Sequence, residues 1–392
     1  MNLFGISMAY LHARPLATAL NLLLLALGIA TITVLLLATG QIEERMGRDA
    51  RGVDMVAGAK GSPMQLVLSS VFHLDAPTGN IALDDALALS RHPMVKKAIP
   101  LALGDSFQGH RIVGTNHDYP AHYGARVAAG RLWSAPMEAV LGAQVAASAR
   151  LAVGATFAGA HGLAAGGDAH DEEPFKVVGV LAPTGSVLDR VVLTSVESIW
   201  EIHEHAGKPP PRREITALLI QYATPLAAAL LPRQVNASSA LQAASPAYES
   251  ARLFRMIGVG VDVLRAFGLV LVLVAGLSVF IALLNALEDR RYDLAVMRML
   301  GASRARLMGL MLLEGVALSA IGGIAGIALG HVFAELLGMA LKGAQQTAVT
   351  GWTWHPRELW LLALAAGVGI AAALLPAWRA YRSDVAPVLA EG

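Results

Sequence analysis

The chain has 392 residues, of which 55% are hydrophobic and 15% are charged, and its formal net charge is +1. This composition is too apolar for an ordinary soluble domain of this length, so it predicts a membrane protein. The even charge balance excludes a domain-scale basic surface and argues against nucleic-acid binding. The sequence has no cysteine, which excludes disulfide scaffolds, thiolate metal sites and cysteine nucleophiles.

Four apolar runs predict membrane-spanning helices, each of which needs roughly 20 residues. The first run is uncharged from Pro15 to Ile42. A cleaved signal peptide is the alternative, but its apolar core would have only about 7 to 15 residues, followed by a small-residue cleavage site. The other runs cover 266–287, 307–337 and 359–376. Tryptophans at 352, 354, 360 and 378 flank the fourth run, as expected at membrane interfaces.

The third run contains two features that an ordinary lipid-facing helix does not need. One is a set of glycines at the small-xxx-small spacing that lets helix backbones approach closely: Gly322, Gly323, Gly326 and Gly330. The other is an intramembrane carboxylate, Glu314, which is costly in hydrocarbon and therefore predicts a functional or an ion-paired role. For the ion-paired role, Arg304 and Arg306 are the candidate partners.

More than half of the chain lies between the first two spans and mixes strand and helix signals, which predicts an aqueous α+β domain. Short apolar runs bounded by glycine, proline or asparagine predict strands at 111–116, 139–146 and 175–185. A helical pattern with acidic residues in its first turn covers 83–93.

The distribution of arginine predicts the orientation of the spans. The loop from 288 to 306 carries five arginines, whereas the loop from 338 to 358 carries one lysine and one arginine, so the positive-inside rule places the first loop and both termini in the cytoplasm. The arginines around the first span point the other way, but long domains translocate largely regardless of charge.

The loop after the second span reads RRYDLAVMRMLGAS, from 290 to 303, and predicts a short amphipathic helix followed by a turn. On a helix, Tyr292 shares one apolar stripe with Ala295, Val296, Met299 and Leu300, while Arg291 and Arg298 lie opposite. Gly301 is placed for a left-handed cap and Ser303 for capping the next helix. A polar hairpin whose arginines only anchor the topology is the alternative.

This segment resembles the signature of the FtsX and MacB family of ABC transporter permeases, the mechanotransmission or type VII group. The matching residues are Arg290, Arg291, Asp293, Leu294, Arg298, Leu300, Gly301, Ala302 and Ser303. The family usually has glutamate at the position of Asp293, and it also carries a glutamate at the position of Glu314.

The resemblance extends over nearly the whole chain. Short motifs at 130–131, 140–142, 145–146, 153–154 and 175–185, and then Asp189, are similar in order and spacing to the MacB-like periplasmic core. The end of the chain, 376–392, is similar to the cytoplasmic tail of the family. The matching points there are Pro376, Arg379, Pro387 and Leu389.

The resemblance implies an α+β membrane protein with four transmembrane helices and a large mixed α/β periplasmic domain inserted between helices 1 and 2. The expected divisions are 1–44, a cytoplasmic amphipathic N-terminus and helix 1; 45–260, the MacB-like periplasmic core; and 261–392, the FtsX-like domain with helices 2–4, the coupling helix and the cytoplasmic tail. The protein is expected in the bacterial inner membrane.

The resemblance further implies a coupling helix that docks on a cytoplasmic ABC ATPase. Its residues are Arg290, Arg291, Tyr292, Asp293, Leu294, Met297, Arg298, Leu300, Gly301, Ala302 and Ser303. No GxxxxGK[ST] phosphate loop occurs in the sequence, so ATP and magnesium are expected on a partner chain and no cofactor on this one. A homodimer is expected, partly because the glycine face of the third span could pair, together with a periplasmic adaptor, lipoprotein or hydrolase.

Three classes of function remain open from the sequence. The first is an ABC permease that exports or extracts a substrate, and the second is a non-transporting relay that regulates a periplasmic hydrolase. A membrane-bound enzyme is disfavoured because no catalytic constellation has the required spacing. Histidines such as His117, His122 and His161 lie near acidic residues, but solvated loops explain them without a metal, so no metal site is predicted.

Overall fold

The computed structural model describes residues 15–162, 174–204, 213–345 and 349–382. The chain divides into two compact units: a span bundle, which combines Met1–Ile42 with Ile257–Gly392, and a sheet domain, Glu43–Met256. The expected amphipathic N-terminus lies outside the described residues, as do Pro387 and Leu389 of the tail.

The described residues form the following helices and strands. The helices are α1 Pro15–Asp49, α2 Pro63–Ser70, α3 Leu83–Ser90, α4 Asp118–His122, α5 Ala143–Ala149, α6 Val196–Glu204, α7 Pro225–Ser238, α8 Pro246–Asp289, α9 Arg291–Met299, α10 Arg304–Gln345 and α11 Glu358–Arg382. The strands are β1 Met55–Ala59, β2 Ile81–Ala82, β3 Val95–Phe107, β4 His110–Thr115, β5 Val127–Gly130, β6 Glu138–Leu141, β7 Thr156–Phe157, β8 Ala160–His161, β9 Phe175–Leu181, β10 Val192–Ser195, β11 Glu214–Ile215, β12 Ala217–Tyr222 and β13 Leu241–Ala244.

The sheet domain is built on a mixed, 11-stranded sheet with the order β13-β1-β12-β3-β4-β10-β6-β9-β5, to which β7 adds beside β9 and β8 beside β3. Most neighbours are antiparallel, but β4 pairs in parallel with β10 and β6 in parallel with β9. Strands that are distant in sequence therefore become neighbours, as when Val56 of β1 lies opposite Leu219 of β12.

Both faces of this sheet are buried, which explains why its strands are continuous apolar runs instead of alternating ones. Ile112 of β4 packs into one core with α5, α6 and α7, while its neighbour Val113 packs into a second core with α2 and Phe72. The same alternation holds at Val192 and Leu193 of β10. The mixed α/β fold expected from the sequence is thereby confirmed.

One predicted element is different in the structure. Residues 139–146 were predicted as a strand, but β6 ends at Leu141 and α5 begins at Ala143. Gly142 lies between the strand and the helix. A Cβ there would lie 2.1 Å from the Leu188 carbonyl oxygen, so only glycine fits at this position. The alanine-rich segment that follows has high helix propensity.

A chain of buried hydrogen bonds crosses the second core of the sheet domain. Nδ1 of His73 lies 3.1 Å from the Ser69 carbonyl oxygen and Nε2 lies 2.9 Å from the Tyr119 hydroxyl. The carbonyl accepts from Nδ1–H, so Nε2 is left to accept from the hydroxyl, which requires a neutral imidazole. Burial, with the nearby Arg111 and Arg190, lowers the pKa of His73 to about 3.

This depressed pKa predicts that the sheet domain loses stability in acid. His73 has a pKa near 6.5 in the unfolded chain. The contribution of its neutral imidazole to the free energy of unfolding is therefore fully present above pH 6.5 and is lost as the pH falls from there toward 3. Between pH 6.5 and 4.5 the loss is roughly 2 to 3 kcal/mol. We expect His73→Gln to flatten this dependence, measured as thermal unfolding of the full chain in nanodiscs at pH 7.5 and 4.5.

The half-buried His122, whose Nε2 lies 2.8 Å from the Arg51 carbonyl oxygen, supplies the control. His122→Gln should keep the acid sensitivity of the wild type. The same pH dependence in His73→Gln as in the wild type would contradict the assignment.

Among the described residues, four helices are long and apolar enough to cross a membrane: α1, α8, α10 and α11. They match the four predicted spans. Their shared core includes Ile29 of α1, Val272 of α8 and Ala365 of α11. Gly28 and Gly268 let α1 and α8 cross closely, since a Cβ on Gly28 would lie 2.8 Å from the Val272 side chain.

Candidate functional site

A single non-helical residue, Arg290, separates α8 from α9. Its backbone has φ −106° and ψ 14°, and it donates to the Ala286 carbonyl oxygen at 3.2 Å while its own carbonyl accepts from Leu294 at 3.0 Å. The backbone hydrogen bonds therefore continue through the bend. The predicted short helix after the second span is present as α9.

The turn after α9 has the hydrogen bonds of a Schellman motif. Gly301, with φ +95°, donates to the Arg298 carbonyl oxygen at 3.0 Å, and Ala302 donates to the Met297 carbonyl oxygen at 3.0 Å. These two bonds satisfy carbonyls that a helix end would otherwise leave without partners. Ser303 then caps α10, because its Oγ accepts from the Arg306 N–H at 3.3 Å.

The α9 helix has one face in the span bundle and one face outside it. Leu294 and Ala295 are buried, and Leu294 packs with Leu307, Leu310 and Ala377. The apolar residues Tyr292, Met299 and Leu300 are instead 56%, 66% and 79% exposed. The apolar stripe expected from the sequence is thus divided, since Ala295 faces the bundle whereas Tyr292 and Met299 do not.

Glu314 forms a buried ion pair with Arg290. Both oxygens of the carboxylate accept from Nη1 of the guanidinium, at 3.1 and 3.3 Å, and both residues are less than 10% exposed. The sequence pointed to Arg304 or Arg306 as partners, whereas this contact joins the third span to Arg290, the residue that precedes α9. A buried charge without such a partner would be costly in hydrocarbon.

The four predicted packing glycines all lie against helices of the same chain. A Cβ on Gly326 would lie 2.7 Å from Ile29, and one on Gly330 would lie 2.5 Å from Thr33, both in α1. Gly322 faces α1 in the same way, and Gly323 faces α11. The close approach is real, but it is intramolecular, so these glycines give no reason to expect a second copy of the chain.

The histidines outside the span bundle serve as hydrogen-bonding residues where the structure describes them. Nε2 of His117 lies 2.9 Å from the Trp133 carbonyl oxygen. Across the described ranges, no group of three or more His, Cys, Asp or Glu side chains is arranged to hold a metal ion. His170 and His205, and the side chains of His161 and His203, lie outside the described part of the chain.

Two polar residues within the spans escaped the sequence-based prediction. Asn21 of α1 is buried, and its Oδ1 accepts from the Ser278 hydroxyl of α8. Both lie inside long apolar runs, where a polar residue normally faces the bundle interior or a polar cavity. This rule could have identified Asn21 and Ser278 from the sequence alone.

Comparison with known families tests the resemblance to the FtsX and MacB permeases that the sequence indicates. The profile of the MacB-like periplasmic core domain matches residues 18–238, and the profile of the FtsX-like permease C-terminal region matches residues 265–385. The chain belongs to the FtsX/MacB-like family of ABC transporter permeases. The first match includes most of the sheet domain, and the second includes α9 and its turn.

Curated relatives of this FtsX/MacB-like permease include two proteins named pyoverdine export ATP-binding/permease protein PvdT. The protein from Pseudomonas entomophila is 27% identical over 399 residues, which is 94% of this chain and 56% of the relative. The protein from Pseudomonas aeruginosa is 25% identical over 406 residues, with coverages of 95% and 56%. The permease chain therefore spans about half the length of the curated relatives it matches.

Solved structures that resemble the permease cover its sheet domain. The periplasmic region of MacB from Actinobacillus actinomycetemcomitans is 15% identical, with a TM-score of 0.34, and the match covers 52% of this chain and 95% of that one. The extracellular domain of YknZ from Gram-positive bacteria is 14% identical, with a TM-score of 0.30 and coverages of 48% and 98%. The family assignment depends on the sequence profiles and not on these two likenesses.

Proposed function

We propose that this permease couples ATP hydrolysis by a separate ABC ATPase to conformational change in its sheet domain, and thereby exports or extracts a substrate. The exposed face of α9 carries this proposal. Tyr292, Met299 and Leu300 present apolar side chains beside the charges of Arg291 and Asp293, on a helix whose other face is fixed in the span bundle. An apolar centre with charges around it is typical of a docking surface.

The remaining assignments follow from the family. ATP and magnesium belong to the ATPase, both termini and α9 face the cytoplasm, and the sheet domain is periplasmic. The permease acts as a homodimer and works with a periplasmic adaptor, lipoprotein or hydrolase. The name of the curated relatives, pyoverdine export, favours export over a non-transporting relay.

Charge reversal on α9 tests the coupling. We expect the triple variant Arg291→Glu, Asp293→Lys, Arg298→Glu to lower permease-stimulated ATPase activity at least tenfold, about 1.4 kcal/mol, because complementary charges on the ATPase would then be repelled. Arg291 and Asp293 are exposed and Arg298 is half-buried, so circular dichroism of the variant must first show that the permease is folded. The measurement is ATP hydrolysis by the co-reconstituted complex.

The exposed Asp262–Arg265 pair on α8, with 2.9 Å between Nη1 and Oδ1, is the matched control. Reversing both of its charges should leave the stimulation unchanged. If the triple variant on α9 also stimulates the ATPase normally, the coupling role is rejected.

A further inference from the structure

A cavity of about 220 Å³, partly open to the outside, lies within the span bundle, between the first turns of α1, the last turns of α8 and the first half of α10. Its walls are mostly apolar, from residues such as Leu283 and Leu318. The polar residues that line it are Thr18, Asn21, Ser278, Asn285, Arg290 and Glu314. Several of these polar groups already bond one another, as Ser278 bonds Asn21 and Arg290 bonds Glu314, and a polar group left over inside a membrane bundle needs a further partner.

Asn21 is the residue that most requires a ligand. It is 4% exposed, and its Oδ1 accepts from Ser278. Within the described ranges, the Nδ2 of Asn21 donates no hydrogen bond to any protein atom. An amide nitrogen that is open to a cavity and has no acceptor on the protein can donate to an occupant with acceptor oxygens.

The rim of the cavity indicates where this occupant comes from. Leu20 of α1 and Ile281 of α8 are 54% and 49% exposed, and both line the cavity. Ser278 lies three helical turns before the end of α8, about 16 Å along the axis, while Arg290 follows that end directly. The cavity therefore runs from the level of the headgroups into the acyl region, with apolar side chains at its rim.

The charges of the cavity indicate the kind of headgroup. Arg290 and Glu314 are its two charged residues, and their charges sum to zero. A phosphate oxygen can accept from the guanidinium and from Nδ2 of Asn21, while an ammonium group can donate to Glu314. A headgroup with both charges matches this site better than a net anionic one, which would be repelled by the carboxylate.

We propose that this cavity binds the headgroup of a zwitterionic, amine-bearing phospholipid, which reaches it laterally from the leaflet on the α9 side of the membrane. The site does not depend on the proposed coupling to an ATPase. The bound lipid would contact the junction of α8 and α9, where Arg290 lies.

The test uses the full chain in nanodiscs of phosphatidylethanolamine mixed with phosphatidylglycerol, followed by native mass spectrometry of retained lipid. We expect phosphatidylethanolamine to be retained at least fivefold more often than phosphatidylglycerol. Asn21→Leu should abolish this preference, because leucine fills the space and removes the donor, whereas Asn21→Gln keeps the amide and should retain it. Thr31→Leu is the control on the same helix, since the Thr31 hydroxyl bonds the Leu27 carbonyl oxygen of its own helix.

Three outcomes would overturn the proposal. One is equal retention of the two lipids by the wild type, and another is the same preference in Asn21→Leu as in Thr31→Leu. The third is displacement of the retained lipid by soluble glycerophosphoethanolamine, which would mean that the site recognises a soluble head group instead of a membrane lipid. A cavity that holds only water gives the first of these outcomes.

Discussion

Replacing Glu314 by alanine is expected to destabilise the span bundle by about 3 to 5 kcal/mol, because the buried charge of Arg290 then loses its carboxylate counter-ion. Arg290→Ala should cost a similar amount, because the 3.1 Å contact between Nη1 and Oε2 is lost from the other side. Unfolding in mixed micelles of increasing denaturing detergent, followed by circular dichroism, measures both.

The double variant Arg290→Met, Glu314→Leu distinguishes the cost of an unpaired buried charge from the cost of losing side-chain packing. It leaves no buried charge, so it should be more stable than either alanine variant. The exposed Arg291–Glu288 pair, 3.5 Å apart, is the matched control, and its removal should change the free energy of unfolding by about 0 to 1 kcal/mol. If the double variant is the least stable of the set, the buried-charge explanation fails.

Gly326→Ala is expected to destabilise the bundle by about 1 to 3 kcal/mol through overpacking. The new methyl group would lie 2.7 Å from Cβ of Ile29 and 2.8 Å from the Ala26 carbonyl oxygen, so α1 and α10 must move apart. In an open helix the same change would instead gain up to about 1 kcal/mol from helix propensity. The same detergent-unfolding measurement applies.

Gly309 offers the comparison, since it lies on the same helix and a Cβ there meets nothing within 4 Å. Gly309→Ala should be neutral or stabilising. Adding Ile29→Ala to Gly326→Ala should relieve only the 3.0 Å contact with Cγ2 of Ile29, because alanine keeps the Cβ at 2.7 Å and the Ala26 carbonyl oxygen stays at 2.8 Å. Equal effects at Gly309 and Gly326 would show that the glycines are not required for the close crossing.

The spans and the turn after α9 are predictable from sequence because local rules decide them. Hydrocarbon thickness fixes the length of an apolar run, and four such runs became α1, α8, α10 and α11. The LGAS turn depends on Gly301, which alone of these residues adopts a positive φ, and on Ser303, which bonds the next helix within three residues.

The partners of these local features are not predictable in the same way. The glycine spacing of α10 predicts that another helix packs closely against it, but the spacing does not indicate whether that helix is α1 or belongs to a second copy of the chain. Glu314 likewise needed a cation within reach, and the choice of Arg290 over nearer residues in sequence depends on how α8 crosses α10. The order of strands in the sheet domain is set by contacts between distant segments, as between β1 and β12.

The Schellman turn at Gly301 has a mechanical consequence. Its paired backbone groups join α9 to α10 without a slack linker, and Arg290 joins α9 to α8 through a bend that keeps its hydrogen bonds. A push on α9 would be absorbed by neither connection. It would instead tilt or shift the second and third spans together as one rigid body, because the Arg290–Glu314 ion pair also joins them.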